Sequence, residues 1–93
     1  MVEIQKDKVL RDGQTVGYVE GDYIYDHNYT KVGYVDGDYV KDMTGAKLAE
    51  ISGEYLESYS DNAKTELDQI NESVKGDAVP EIVRCAVYQL IGA

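Results

Sequence analysis

The chain of 93 residues has one cysteine, one histidine and one proline, and it contains neither tryptophan nor phenylalanine. One cysteine excludes an internal disulfide, so packing alone must hold the fold together. No apolar run approaches the roughly 20 residues that a membrane-spanning helix requires. The opening segment MVEIQKDKVL also lacks the basic and apolar regions of a secretory signal. These absences predict a cytoplasmic protein that forms a single domain over residues 1–93.

Basic residues are scarce as well. Nine Lys and Arg residues stand against 18 Asp and Glu residues, which gives a net charge of -9. This charge opposes binding to nucleic-acid phosphates or to an anionic membrane, so neither is expected as a partner. A chain of this length also has no room for a cofactor fold beside a substrate domain, and no cofactor is expected.

What the chain has is an internal repeat with a period of sixteen residues. VGYVEGDYIYD, residues 16–26, is followed by VGYVDGDYVKD, residues 32–42, and by the looser copy LAEISGEYLES, residues 48–58. These segments are rich in Val, Ile and Tyr and alternate with a period of two, which is typical of antiparallel strands. We therefore predict repeated β-hairpins over residues 4–58, beginning with a truncated copy, KVLRD, at residues 8–12.

Comparison of the copies separates a buried face from a wet face. One column stays aliphatic and is predicted to be buried: Leu10, Ile24, Val40 and Leu56. The adjacent column holds Arg11, Tyr25, Lys41 and Glu57, which a buried position would not accept at low cost. On the buried face, the small residues Gly17, Gly33 and Ala49 are predicted to let another segment approach closely.

The turn segments carry most of the acidic pairs. Asp12 and Gly13 predict a two-residue hairpin turn, whereas the longer loops offer Asn28 or Gly45 for a positive φ. The acids Glu20, Asp22, Asp36, Asp38 and Glu54 flank turn glycines, and such carboxylates provide the hard oxygen ligands that Ca²⁺ prefers. Tight turns select Asp and Gly without any metal, so turn chemistry is the favoured interpretation and Ca²⁺ binding the alternative. No metal ligand is assigned.

The residues after Leu56 change to a helical pattern. In SDNAKTELDQINESVKG, residues 60–76, Ser60 or Asp61 fits an N-cap and Gly76 fits a stop. The apolar residues of this segment form one narrow stripe: Ala63, Leu67, Ile70 and Val74. The prediction is thus an α+β fold, in which antiparallel hairpins are followed by two C-terminal helices within residues 60–92.

The second predicted helix has Asp77 as its cap, Pro80 in its first turn and Gly92 past its end. Its apolar face is much wider than the stripe of the first helix, so we expect it to be the main clamp on the sheet. The width exceeds what a small sheet needs, which predicts a homo-oligomer formed through this helix. The expected interface residues are Val79, Ile82, Val83, Val87, Leu90 and Ile91.

Nine tyrosines are the least ordinary feature of the composition. Five of them recur in register with the repeat: Tyr18, Tyr23, Tyr25, Tyr34 and Tyr39. The favoured interpretation is structural, because rings on neighbouring strands stabilise a sheet. The functional alternative is an amphipathic platform for a peptide, a glycan or a partner protein, since tyrosine offers contact area at little entropic cost.

A catalytic centre is not expected. His27 lies in a polar loop segment and Cys85 in the apolar stripe of the second helix, and no third orienting group accompanies them. We interpret His27 as an exposed loop side chain and Cys85 as a small buried hydrophobe.

The units VGYVEGDYIYD and VGYVDGDYVKD resemble the repeat of the small bacterial β-flower proteins. The four segments VLRD, YIYD, YVKD and YLES resemble the four-fold form. This resemblance covers residues 4–58 and implies hairpin petals around a pseudo-symmetric axis, in a family without an assigned activity. Together with the composition, it predicts a non-enzymatic binding or assembly module.

Overall fold

The computed structural model describes residues 1–76 and 79–92. Within these residues, ten strands and two helices follow one another along the chain. They are β1 Val2–Gln5, β2 Lys8–Arg11, β3 Gln14–Glu20, β4 Tyr23–Asp26, β5 Lys31–Asp36, β6 Tyr39–Lys41, β7 Lys47–Ser52, β8 Tyr55–Ser58, β9 Lys64–Glu66, α1 Leu67–Ser73, β10 Val74–Lys75 and α2 Glu81–Leu90. The strands form one sheet in the order β10-β1-β2-β3-β4-β5-β6-β7-β8-β9. The prediction of repeated hairpins followed by two helices is confirmed.

Four hairpins, which we call petals, make up most of the sheet. Petal 1 is β1–β2, petal 2 is β3–β4, petal 3 is β5–β6 and petal 4 is β7–β8. The first residue of each two-residue tip has a positive φ: Lys6 at 57°, Gly21 at 59°, Gly37 at 60° and Gly53 at 62°. Glycine adopts this region without steric cost. The tip of petal 1 is the exception, because it has a lysine at this position.

Each petal is tied to the next by the same backbone hydrogen bond. The backbone carbonyl of the second tip residue accepts a hydrogen bond from the N–H of a residue that lies further along the chain, beyond the petal. The N–H of Val19 donates to Asp7, that of Val35 to Asp22, that of Ile51 to Asp38 and that of Leu67 to Glu54, over 2.8 to 2.9 Å. The fourth of these bonds shows that β9 and the start of α1 continue the repeat.

The inner face of the petals forms the core. Ile24, Val40 and Leu56 are buried as predicted, but in petal 1 the buried residue is Val9 and not Leu10. Val9 lies opposite Gly17 just as Ile24 lies opposite Gly33. The prediction for Leu10 was wrong because the two petals are offset by one residue more than the alignment assumed, and a one-residue slip exchanges the faces of a strand.

The helix α2 packs against the inner face of the sheet, where it contacts β4, β5 and β6, and it also contacts α1. Its Val83, Cys85, Ala86 and Val87 are buried, so its predicted role as the main clamp is confirmed. Pro80 occupies the N-cap position without a side-chain cap, and the predicted cap Asp77 lies outside the described residues. Gly92, with φ of 93°, follows the end of the helix as predicted. Among the described residues, neither helix has the length and hydropathy that a membrane-spanning segment requires.

The first predicted helix is much shorter than its pattern suggested. Only residues Leu67–Ser73 are helical, while Lys64–Glu66 form β9 and Val74–Lys75 form β10. The exposed edge of β8 takes β9 as its partner, with Leu56 opposite Thr65, and this pairing supplies the backbone hydrogen bonds that a helix would otherwise provide. Leu67, Ile70 and Val74 of the predicted stripe are buried, whereas Ala63 is exposed.

Candidate functional site on the outer tyrosine face

The five tyrosines singled out from the sequence lie on the outer side of petals 2 and 3. Tyr18 lies opposite Tyr25, and Tyr23 lies opposite Tyr34. Directly opposed residues share one face of a sheet, and the buried Ile24 alternates with Tyr23 and Tyr25. We call this surface, formed by Tyr18, Tyr23, Tyr25, Tyr29, Tyr34 and Tyr39, the tyrosine face.

Three of these rings form a cluster. Tyr25 and Tyr29 are stacked, with ring centroids 4.7 Å apart, and the ring of Tyr18 meets Tyr29 edge-on at 5.0 Å. Tyr29 was missed by the sequence reasoning because it lies in a loop outside the matched columns. It has a φ of 64°, so it and not Asn28 takes the positive φ of this loop. Gly45 is the equivalent residue sixteen positions further along and has a φ of 88°. The glycine at this position of the repeat was the sequence feature from which the positive φ of Tyr29 could have been predicted.

Two lysines cover rings at equivalent places in the repeat. Lys31 Nζ lies 4.2 Å from the ring centroid of Tyr23, and Lys47 Nζ lies 4.0 Å from that of Tyr39. Tyr23 also packs against Tyr34, with centroids 5.9 Å apart. Ammonium groups at this distance are attracted by the negative face of the ring, so these two rings bind cations within the chain itself.

Polar contacts fix the remaining groups at the border of this face. Lys41 Nζ donates a hydrogen bond to Asp36 Oδ2 over 2.7 Å, which lowers the pKa of Asp36 and raises the pKa of Lys41. Tyr59 Oη donates to Glu50 Oε1 over 2.9 Å, and this bond raises the pKa of Tyr59 to about 12. Both contacts order side chains next to Tyr39, since Glu50 lies opposite it in the sheet.

Comparison with known proteins identifies the family of this arrangement. The family model described as "4-fold beta flower protein" matches residues 10–76, which is more than half of the chain. The chain belongs to the four-fold β-flower family. None of the curated proteins and none of the solved structures matches it. The β-flower match begins in petal 1 and stops before α2.

The acidic turns of this β-flower protein do not come together. Glu20, Asp22, Asp36, Asp38 and Glu54 belong to the tips of three different petals, and within residues 1–76 and 79–92 no group of three or more His, Cys, Asp or Glu side chains is arranged to hold a metal ion. Other aspartates stabilise loops. Asp26 Oδ1 accepts hydrogen bonds from the N–H groups of Asn28 and Thr30, and Asp42 Oδ1 accepts them from Thr44 and Ala46.

The lone histidine and the lone cysteine have different surroundings. His27 is exposed in the loop between petals 2 and 3. Cys85 is buried in α2, and this burial raises the pKa of its thiol to about 12. A thiol with such a pKa is protonated near neutral pH and is a poor nucleophile.

The expected oligomer interface is divided between core and surface. Val83 and Val87 are buried against the protomer's own core. Val79, Ile82, Leu90 and Ile91 pack against the same core but are only partly buried. Association through α2 stays a prediction, and these four side chains are the part of the interface that a second copy can reach.

Proposed function

We propose that this β-flower protein is a non-enzymatic, cytoplasmic binding module that docks a partner protein on its tyrosine face. The observation that carries the proposal is the gathering of six tyrosines on one outer surface, while the buried core of the described residues contains none. Tyr29 is 51 % exposed and Tyr23 is 39 % exposed. Removal of such rings from water by a partner would gain binding energy at little cost in side-chain entropy.

The ring arrangement favours a protein over a glycan. A sugar stacks on a bare ring face, but Tyr25 and Tyr29 use a face on each other, and the rings of Tyr23 and Tyr39 each have a lysine over one face. Ring edges and hydroxyl groups remain for contact. These features suit the mixed apolar and hydrogen-bonding contacts of a protein interface, in which tyrosine is enriched.

Site-specific photocrosslinking in cells tests the proposal. A photoreactive phenylalanine derivative at residue 29 should form an adduct of discrete mass with a partner, and the same derivative at position 75 serves as the control. Lys75 is exposed in the edge strand β10, outside the tyrosine face. Adducts at both positions with the same intensity, or at neither, would contradict docking on this surface. An adduct with a second copy of the chain would identify the partner as the protein itself.

Self-association through α2 is the second candidate. It is supported by the partly exposed Ile82, Leu90 and Ile91, which leave apolar surface on the outside of the protomer. Light scattering over a range of concentrations tests it. An Ile82→Asp variant that lowers the measured mass while its amide spectrum remains that of a folded protein supports this interface, and a strictly monomeric wild-type protein refutes it.

A further inference from the structure

A cavity of about 250 Å³ lies beside petal 4, where its tip meets the beginnings of α1 and α2. Tyr55 lines this cavity together with four acidic residues: Glu54, Glu66, Asp68 and Glu81. Asn71 Nδ2 donates a hydrogen bond to Glu81 Oε2 over 2.8 Å. Within the described part of the chain, none of the four carboxylates forms an ion pair. Their combined negative potential therefore remains available to a positively charged group.

The repeat identifies which kind of cation this lining suits. Tyr55 follows Tyr23 and Tyr39 in the same column, at steps of sixteen residues. The two earlier rings each carry an ammonium group, from Lys31 at 4.2 Å and from Lys47 at 4.0 Å. These two contacts are independent of the acidic cluster, and they show that the ring at this position binds an ammonium group in petals 2 and 3.

The third ring of this column, that of Tyr55, differs from the other two because the equivalent lysine contacts a carboxylate and not the ring. Lys31 and Lys47 occupy the same place in the sheet register, opposite Tyr25 and Lys41 respectively. The residue at the equivalent place in β9 is Lys64, which lies opposite Glu57. Lys64 Nζ is 3.6 Å from Glu57 Oε1, so its charge is directed to that carboxylate. In residues 1–76 and 79–92 no cation lies over the ring of Tyr55, which is 40 % exposed.

We propose that this cavity binds an organic ammonium or guanidinium group, supplied by a lysine or arginine side chain of another protein. The Tyr55 ring takes the cation as the rings of Tyr23 and Tyr39 take theirs, and the surrounding carboxylates attract it. A metal ion is disfavoured, because the described carboxylates do not converge in a metal-binding arrangement, and because a tyrosine ring suits a larger cation. The site lies outside the tyrosine face and does not depend on the function proposed for that surface.

Titration of the full chain with small probes tests this site. N-acetyl-lysine methylamide, N-acetyl-arginine methylamide and spermidine are the cationic probes, N-acetyl-glutamine methylamide is the neutral one, and CaCl₂ is the metal control. Amide chemical shifts report the position of binding. We expect the lysine and arginine probes to shift the signals of residues 53–55 and 66–68, and the glutamine probe to leave them unchanged.

Matched variants separate the ring from the general negative charge. Tyr55→Leu should weaken binding of the arginine probe about two- to fivefold, the loss expected for one exposed cation–π contact, while Tyr55→Phe should retain it. Glu66→Gln should weaken binding more than Glu3→Gln, which removes one carboxylate elsewhere. Tyr59→Leu is the control for loss of a tyrosine. The amide spectrum of each variant checks that it is folded.

Each result has a defined meaning. Equal affinities for wild type, Tyr55→Leu and Tyr59→Leu would overturn the role of the ring. Shifts with CaCl₂ alone would overturn an organic cation as the ligand. Shifts with spermidine but not with the lysine and arginine probes would overturn a protein side chain as the source and identify a free polyamine. These outcomes leave the photocrosslinking result at residue 29 unaffected, so the two proposals fail separately.

Discussion

Gly33 and Leu90 touch at the centre of the flower, where petal 3 meets the end of α2. A Cβ atom at residue 33 would lie 2.7 Å from Leu90 Cδ1 and 2.6 Å from the carbonyl oxygen of Lys41. The leucine side chain can rotate away from an added atom, but the carbonyl belongs to the neighbouring strand and cannot. Because residue 33 has no side chain, the sheet and α2 can pack closely at this position.

Gly33→Ala should destabilise the protein by about 1–3 kcal/mol, the usual cost of overpacking a well-packed core. Urea denaturation measures the change. The double variant Gly33→Ala/Leu90→Ala should not recover the wild-type stability, because the carbonyl of Lys41 remains in the way and Leu90 also loses its contacts. A single Gly33→Ala variant with an unchanged midpoint would show that the strands separate there at little cost.

The tip of petal 1 carries a strain that the other tips avoid. Lys6 has a φ of 57° where the equivalent residues are Gly21, Gly37 and Gly53. A non-glycine residue in this region costs about 1–2 kcal/mol of stability. Replacement by glycine removes this cost, but it also increases the conformational entropy of the unfolded chain, which offsets part of the stabilisation. Lys6→Gly should therefore stabilise the protein by about 0.5–1 kcal/mol in thermal or urea denaturation. The reciprocal variant Gly21→Lys should destabilise it, and the same sign of change in both would contradict the explanation.

The hydrogen bond from Tyr59 to Glu50 should delay the ionisation of the Tyr59 hydroxyl group. Its hydrogen bond to Glu50 raises its pKa from 10.0 to about 12. Because the pKa of the folded state lies above that of the unfolded state, the bond stabilises the fold below pH 10 and this contribution is lost as the pH rises through about 12. Titration of tyrosinate absorbance measures it. Tyr59→Phe should remove the step near pH 12, and Glu50→Gln should move it toward pH 10, whereas Glu57→Gln should shift it far less.

Much of the petal architecture could be predicted because each column of the repeat is written several times. Ile24 and Val40 were identified as buried, and Tyr25 and Lys41 as outward-facing, by comparison of copies alone. Petal 1 was the difficult one, because its short connection allowed two alignments and only the pairing of Val9 with Gly17 decides between them. A repeat thus predicts the faces of its strands well and the register of a degenerate copy poorly.

The segment after petal 4 fits two patterns at once. Leu67 continues the column of Val19, Val35 and Ile51 at the same spacing, and it also begins the helical stripe of Ile70 and Val74. Both patterns correspond to the structure, because Leu67 directly follows strand β9 and is the first residue of helix α1. Local propensity could not reveal that the edge of β8 needs a partner, because that requirement arises only once the sheet has formed. The cavity at Tyr55 was missed for the same reason, since its carboxylates come from petal 4, β9, α1 and α2.

Arg84 joins the segments on either side of the connection between β10 and α2. Its Nε donates to Asn71 Oδ1 over 2.9 Å, and its Nη1 donates to the carbonyl oxygens of Gly76 and Val79 over 3.0 and 2.8 Å. The planar guanidinium serves three acceptors from two nitrogens, and an ammonium group cannot reproduce that geometry. The network connects α2 to α1 and to the residue that follows β10.

Arg84→Met should therefore destabilise the protein by about 1–3 kcal/mol, because the side chain keeps its aliphatic packing but leaves partly buried acceptors without donors. Arg84→Lys should recover little of this loss. Urea denaturation measures both, with Lys75→Met at an exposed position of β10 as a control for the removal of one positive charge, expected within about 0.5 kcal/mol of wild type. Full recovery by Arg84→Lys would mean that charge alone matters at this position. Equal losses in Arg84→Met and Lys75→Met would mean that the carbonyls of Gly76 and Val79 find water as a sufficient replacement.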